Sequence, residues 1–133
     1  MEQQTVIDKF QAFVAVEGDT LMRLLFWAEQ TVTQRLLAQL EAMGYANVSL
    51  AELRLMQQLC LAGVRLTELA DRMKLSKQAI GQLIDSLERK QWVMRSPDPQ
   101  DKRAKIIAYT TQGYQFIADT IDATFIVEQE LSQ

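Results

Sequence analysis

The stretch LTELADRMKLSKQAIGQLIDSLERKQWVMRSPDPQDKRAKIIAYTTQGY, residues 66–114, decides the fold. Leu66, Leu69, Ala70 and Met73 predict a short helix through Arg72, because apolar side chains three and four residues apart share one helical face. Lys74 and Leu75 predict a turn. Ser76 is a good N-cap, and Ile80, Leu83, Ile84 and Leu87 predict a longer helix ending near Lys90. A short helix, a turn of about three residues and a longer helix, with small Ala70 facing the crossing, make a helix-turn-helix pattern. Trp92, Val93 and Met94 then predict a strand. The loop SPDPQDKR at 96–103 holds both prolines of the chain, and Lys105, Ile106, Ile107, Ala108 and Tyr109 predict the returning strand.

Outward from this stretch the chain reads as helix. Ser49 with Glu52 forms a capping-box pattern that opens a helix running to about Leu61, and Gly63 breaks it. Val6, Ile7, Phe10, Phe13 and Val14 predict a short N-terminal helix from Thr5 to Val16, stopped near Gly18. A second helix, capped by Asp19 or Thr20, runs to Gly44 on a stripe that includes Leu21, Leu25, Val32, Leu36 and Leu40. Its first half, LMRLLFWA at 21–28, is apolar on more than one face and needs two burial partners. Tyr114, Ile117, Ile121, Phe125 and Ile126 give the last helix a wide apolar face. The expected architecture is all-α with a small two-stranded β-wing, a winged helix-turn-helix. It forms one domain over 1–133, with a DNA-binding lobe at 49–109 and dimerisation helices at 5–45 and 111–133. A two-fold homodimer is expected, because one small monomer can hardly cover so much apolar surface.

Composition narrows the chemistry. The 133 residues are 48% hydrophobic and contain no histidine, which excludes a Ser-His-Asp or Cys-His catalytic unit and imidazole zinc sites. No Gly-rich phosphate loop, catalytic carboxylate pair or metal-ligand spacing is found, so no enzyme, no metal and no cofactor are expected. The lone Cys60, in the apolar run LeuCysLeuAla, is expected to be a buried, inert thiol in a reducing compartment. The start MEQQTVIDKF lacks the basic and apolar regions of a signal peptide, and no apolar run reaches membrane-helix length. A cytoplasmic protein without a membrane partner is expected.

Net charge is −3, which taken globally argues against a polyanionic partner. The distribution says otherwise. Residues 65–105 carry ten basic and six acidic side chains, a local +4, while the remainder carries −7. One basic stretch in an acidic body fits a single polyanion-binding face; chance clustering on solvated helix faces is the alternative. On the outward face of the 76–90 helix lie Ser76, Lys77, Gln78, Gly81 and Gln82. Gln pairs bidentately with adenine and Lys reaches guanine, so these are candidate readers of double-stranded DNA. Gly81 in a helix interior costs roughly 1 kcal/mol against Ala, so it is either tolerated or placed for close approach to DNA. Arg95, Lys102 and Arg103 complete the candidate DNA-binding set.

The stretch from 66 to 114 resembles the multiple-antibiotic-resistance regulator family, the MarR-type winged-helix repressors, with a looser match over the flanking helices. The most specific part is DPQDKR at 98–103, similar to the family's Asp-Pro-x-Asp-Arg-Arg, followed by a strand and the helix start Thr110-Thr111-Gln112-Gly113. The resemblance implies that Asp101 braces the wing through a salt bridge and that Lys102 or Arg103 contacts DNA. It implies a palindromic operator, repression, and a small-molecule effector in a cleft that Phe26, Trp27, Met56 and Tyr114 could line; aromatic and Met side chains at helical spacing also serve as core. Lys102 stands where the family usually has an Arg, and a lysine lacks the guanidinium fork. Twenty residues follow Gly113, fewer than the family's paired C-terminal helices need, and the helix from Thr5 is a candidate replacement. A winged-helix module that binds protein rather than DNA is the rival reading.

Overall fold

The computed structural model describes residues 2–15 and 20–133. The elements are α1 (Glu2–Ala15), α2 (Leu21–Ala42), α3 (Leu50–Gln58), β1 (Val64–Arg65), α4 (Leu66–Met73), α5 (Lys77–Arg89), β2 (Val93–Pro97), β3 (Lys105–Tyr109) and α6 (Thr111–Leu131). The chain divides into two compact units, Met1–Arg35 and Leu36–Gln133, with the boundary inside α2. The expected stop at Gly18 and the alternative cap Asp19 lie outside the described residues.

In the first unit, Thr20 Oγ1 accepts the Arg23 amide at 3.3 Å and so caps α2. Val6, Phe10 and Phe13 of α1 are exposed, as are Leu21, Met22, Leu24, Leu25, Phe26 and Trp27 of α2. Phe26 and Trp27 meet edge to face, and the Arg23 guanidinium lies 5.7 Å from the Trp27 ring centre.

The second unit holds the core, built from Leu40, Leu53, Leu55, Met56, Leu69, Ile80, Ile84, Leu87, Ile107 and Phe116. The sheet has three antiparallel strands in the order β1-β3-β2, one more than the expected wing. Val64 pairs with Ile107 on one side of β3, and Val93 pairs with Tyr109 on the other. Gly63 permits the extra strand: its φ is +86°, and a Cβ there would lie 2.5 Å from Ile106 Cγ2. β2 extends through Ser96 and Pro97, which the loop signal had claimed.

Local chemistry sets the helix ends. α3 opens with both halves of its capping box made, Ser49 Oγ accepting the Glu52 amide and Glu52 Oε1 accepting the Ser49 amide. It ends at Gln58, short of Leu61, where the Tyr109 hydroxyl donates to the Leu59 carbonyl at 3.0 Å and also meets that of Met56. α4 closes on Lys74 in the left-handed conformation, and Leu75 donates its amide to the Ala70 carbonyl. α6 is capped by Thr110, whose Oγ1 accepts the Gly113 amide and donates to the Gln91 carbonyl. Gly113 is required for that docking, because a Cβ would sit 1.9 Å from the Trp92 carbonyl oxygen.

Candidate nucleic-acid interface

Lys74, Leu75 and Ser76 join α4 to α5, and Ala70 is buried at the crossing, as the helix-turn-helix spacing requires. Ser76 Oγ accepts the Ala79 amide at 3.1 Å, which fixes where α5 begins. Ile80, Ile84 and Leu87 are fully buried, so the opposite face of α5 is turned to solvent. Ser76, Lys77, Gln78 and Gln82 are all exposed on it. Gly81 is half-buried, and a Cβ there would meet nothing within 4 Å. Among the described residues, no packing contact calls for a glycine at that position.

The wing tip is a set of backbone turns. Asp98 donates its amide to the Ala104 carbonyl and accepts the Gln100 amide on Oδ1 at 2.9 Å. Asp101 Oδ1 accepts the Arg103 amide at 3.0 Å. The expected salt bridge on Asp101 is therefore corrected: among the described residues, the aspartate of the wing loop that forms an ion pair is Asp98, with Arg65 at 2.5 Å. Asp101 is exposed and shapes the tip through the backbone, whereas the Asp98 side chain is buried beside β1. The Gln100 amide, and then Arg65, hold the Asp98 carboxyl below the usual carboxylate range. Lys102 and Arg103 stand exposed on this braced tip.

Arg95 on β2 is turned toward α5. Its Nη2 lies 2.8 Å from Asp85 Oδ1 and 3.2 Å from the Gly81 carbonyl, and its Nη1 pairs with Glu88. A second polar cluster, missed from the sequence, holds the other end of α5. Glu52, 4% exposed, accepts from Lys90 Nζ at 2.9 Å and from Ser86 Oγ at 3.0 Å, while Lys90 also reaches the Asn47 carbonyl. Burial alone would raise the Glu52 carboxyl, but the Ser49 amide, Lys90 and Ser86 outweigh it and the net direction is down. The capping-box spacing found Glu52, but no local signal places it against a lysine 38 residues away.

Of the expected cleft residues, Phe26 and Trp27 lie in the first unit and Met56 and Tyr114 in the second. Met56 is fully buried in the core, which corrects its assignment to a pocket. Tyr114 is 43% exposed and tilts against Tyr109 with ring centres 5.3 Å apart. A cavity of about 690 Å³ between α3 and the end of α4 is lined by other residues, among them Arg54, Arg72 and Met73. Cys60 is also corrected: it lies beyond the end of α3, exposed, with Sγ donating to the Gly63 carbonyl at 3.2 Å. Among the described residues no helix is long and apolar enough to cross a membrane.

The sequence profile of the MarR family matches residues 35–105, more than half of the chain, covering the whole helix-turn-helix and the wing up to the first residue of β3. The chain belongs to the MarR family. No individual curated protein matches it in sequence. Among solved structures it is similar to apo MarR from E. coli, at 25% identity, 85% of this chain against 82% of that one, and a TM-score of 0.72. A mutant MarR from E. coli complexed with operator DNA matches at 25% identity, 87% against 82%, and TM-score 0.69. CouR from Rhodococcus jostii, bound to p-coumaroyl-CoA, matches at 25% identity, 86% against 79%, and TM-score 0.72. The mostly helical lobe with its small antiparallel sheet is thus the MarR-family winged helix.

Proposed function

We propose that this chain is a transcriptional regulator that binds a specific double-stranded DNA site as a homodimer, represses there, and is released by a small-molecule effector. The observation that carries the reading is the exposed polar face of α5, with Lys77, Gln78 and Gln82, beside a wing tip that presents Lys102 and Arg103. Family membership and the operator complex of the E. coli relative support it. In this reading α5 enters the major groove, its glutamines meet base edges, and the wing meets the backbone alongside. The chain acts in the cytoplasm and catalyses no reaction.

The dimer is formed by α1, α2 and α6. The motive is apolar exposure on each: Phe10 and Phe13, Leu24 to Trp27, and Ile121 and Phe125. Two symmetric copies of α5 require a palindromic site with half-sites roughly 10 base pairs apart.

Fluorescence anisotropy on random and selected duplex at two salt concentrations tests the proposal. Binding that weakens steeply with salt, with protection of two half-sites, is the expected result. Salt-insensitive or absent binding favours the protein-interaction module, to which the overall acidity of the chain also points.

A further inference from the structure

We propose that Arg95 is a positioning residue that sets the angle between α5 and the wing, and through it the specificity of duplex binding, rather than a contact to the phosphate backbone. The inference rests on the DNA-binding reading above and assigns a role within it. Arg95 sits on β2 opposite Ile107 of β3, so its backbone is fixed in the sheet. Its guanidinium meets Gly81, Asp85 and Glu88, which lie one turn apart along a single face of α5. Both terminal nitrogens are turned to the helix, and the side chain is only 29% exposed.

Charge excludes the simpler role. Arg95 with Asp85 and Glu88 is a cluster of one cation and two carboxylates, net −1, which repels a phosphate rather than attracting one. Lys102 and Arg103 differ in being exposed on the tip. The tip is tied to the start of α4 by Arg65–Asp98, so Arg95 is the second tie, from the wing to the recognition helix itself. A planar fork with five donors spans three acceptors at fixed spacing; a lysine ammonium cannot hold all three in register.

The test uses the full chain, a selected operator and random duplex across a salt series. Arg95→Gln should lower the operator-to-random affinity ratio at least tenfold, with random-duplex affinity within about threefold and the salt slope unchanged. Arg95→Lys should not restore the ratio. The double variant Asp85→Asn, Glu88→Gln should lower it similarly, and adding Arg95→Gln should lower it no further. Operator and random affinity falling together, a slope flatter by about one unit and rescue by lysine would instead make Arg95 a backbone contact. An independent arm needs no DNA: spin labels at Gln82→Cys and Lys102→Cys, in a Cys60→Ser background, report the helix-to-wing distance. Arg95→Gln should broaden that distribution, and an unchanged distribution overturns the proposal. If the unmodified chain binds no duplex, the functional reading fails, and the distance measurement alone decides the strap.

Discussion

Arg65, the N-cap residue of α4, holds Asp98, where β2 enters the wing tip, in an ion pair 2.5 Å long. Its side chain is turned to the wing and makes no capping bond to its own helix. The wing is thereby tied to the helix-turn-helix through a buried carboxylate that also accepts the Gln100 amide. Asp98→Asn should therefore weaken operator binding more than Asp101→Asn, whose carboxylate is exposed and shapes only the tip turn. Equal losses in a side-by-side titration would return the bracing role to Asp101.

Two helical glycines of the second unit, Gly81 in α5 and Gly113 in α6, should respond oppositely to alanine. At Gly81 a Cβ enters open space in a helix interior, so Gly81→Ala should stabilise the chain by about 0.5–1 kcal/mol. At Gly113 it enters the Trp92 carbonyl, so Gly113→Ala should destabilise by about 1–3 kcal/mol or more. Urea denaturation of both variants is the measurement. Stabilisation at Gly81 together with weakened operator binding would show that the glycine serves close approach to DNA.

Removing Glu52 leaves Lys90 half-buried without its carboxylate and Ser86 without its acceptor. Glu52→Ala should cost about 3 kcal/mol in denaturant unfolding, because breaking a buried pair strands the remaining charge. Both Glu52 and Asp98 have lowered folded values, so the stability they contribute is fully present above the ordinary carboxylate range, near 4. It is lost as pH falls through the lowered values. Glu52→Gln should shrink the acid-side loss of stability and leave the neutral region of the profile flat.

Titration at high pH gives the opposite sign. Tyr45 is pushed up to about 12 by burial and by Asp119, which its hydroxyl meets at 2.5 Å, and Tyr109 is pushed up to about 12, first by burial. Raised phenols contribute stability that is present below the unfolded value near 10 and lost as pH rises toward 12. Difference absorbance near 295 nm should show these two tyrosinates appearing only with alkaline unfolding. Full ionisation by pH 10.5 in the folded chain would contradict the buried placements.

What could be read from the sequence was local. Ser76 as cap, the face of Ile80, Ile84 and Leu87, and the strand Lys105–Tyr109 follow from spacing and capping chemistry within a few residues, and the structure keeps them. β1 was not legible, because two residues carry no period and their strand character comes from pairing with Ile106 and Ile107, 41 and 43 residues away. The wing brace shows the same limit: Asp98 and Asp101 are equivalent by composition, and only the position of Arg65 across the sheet decides between them. Cys60 sits in an apolar run yet is exposed, because α3 ends two residues before it and the chain turns toward Gly63.

The dimer should be measurable without DNA. Ile121 and Phe125 are exposed on the last helix, one turn apart, and a charge there should break a two-fold contact. Sedimentation at tens of micromolar should give a dimer for the native chain and a monomer for Phe125→Glu. A native monomer at that concentration would remove the palindromic-site expectation.

The most direct measurement of the central claim compares Gln78→Ala and Gln82→Ala with Arg103→Ala on operator and random duplex. A phosphate is the same at every step while a base edge is not, so the two classes of side chain must separate. Each glutamine variant should lose about 1–3 kcal/mol on the operator and little on random duplex, relaxing preference at one base position. Arg103→Ala should weaken both duplexes together and flatten the salt slope by about one unit. If the glutamine variants keep the native specificity ratio, α5 is not the reading helix, and the DNA-binding role assigned to its exposed face is wrong.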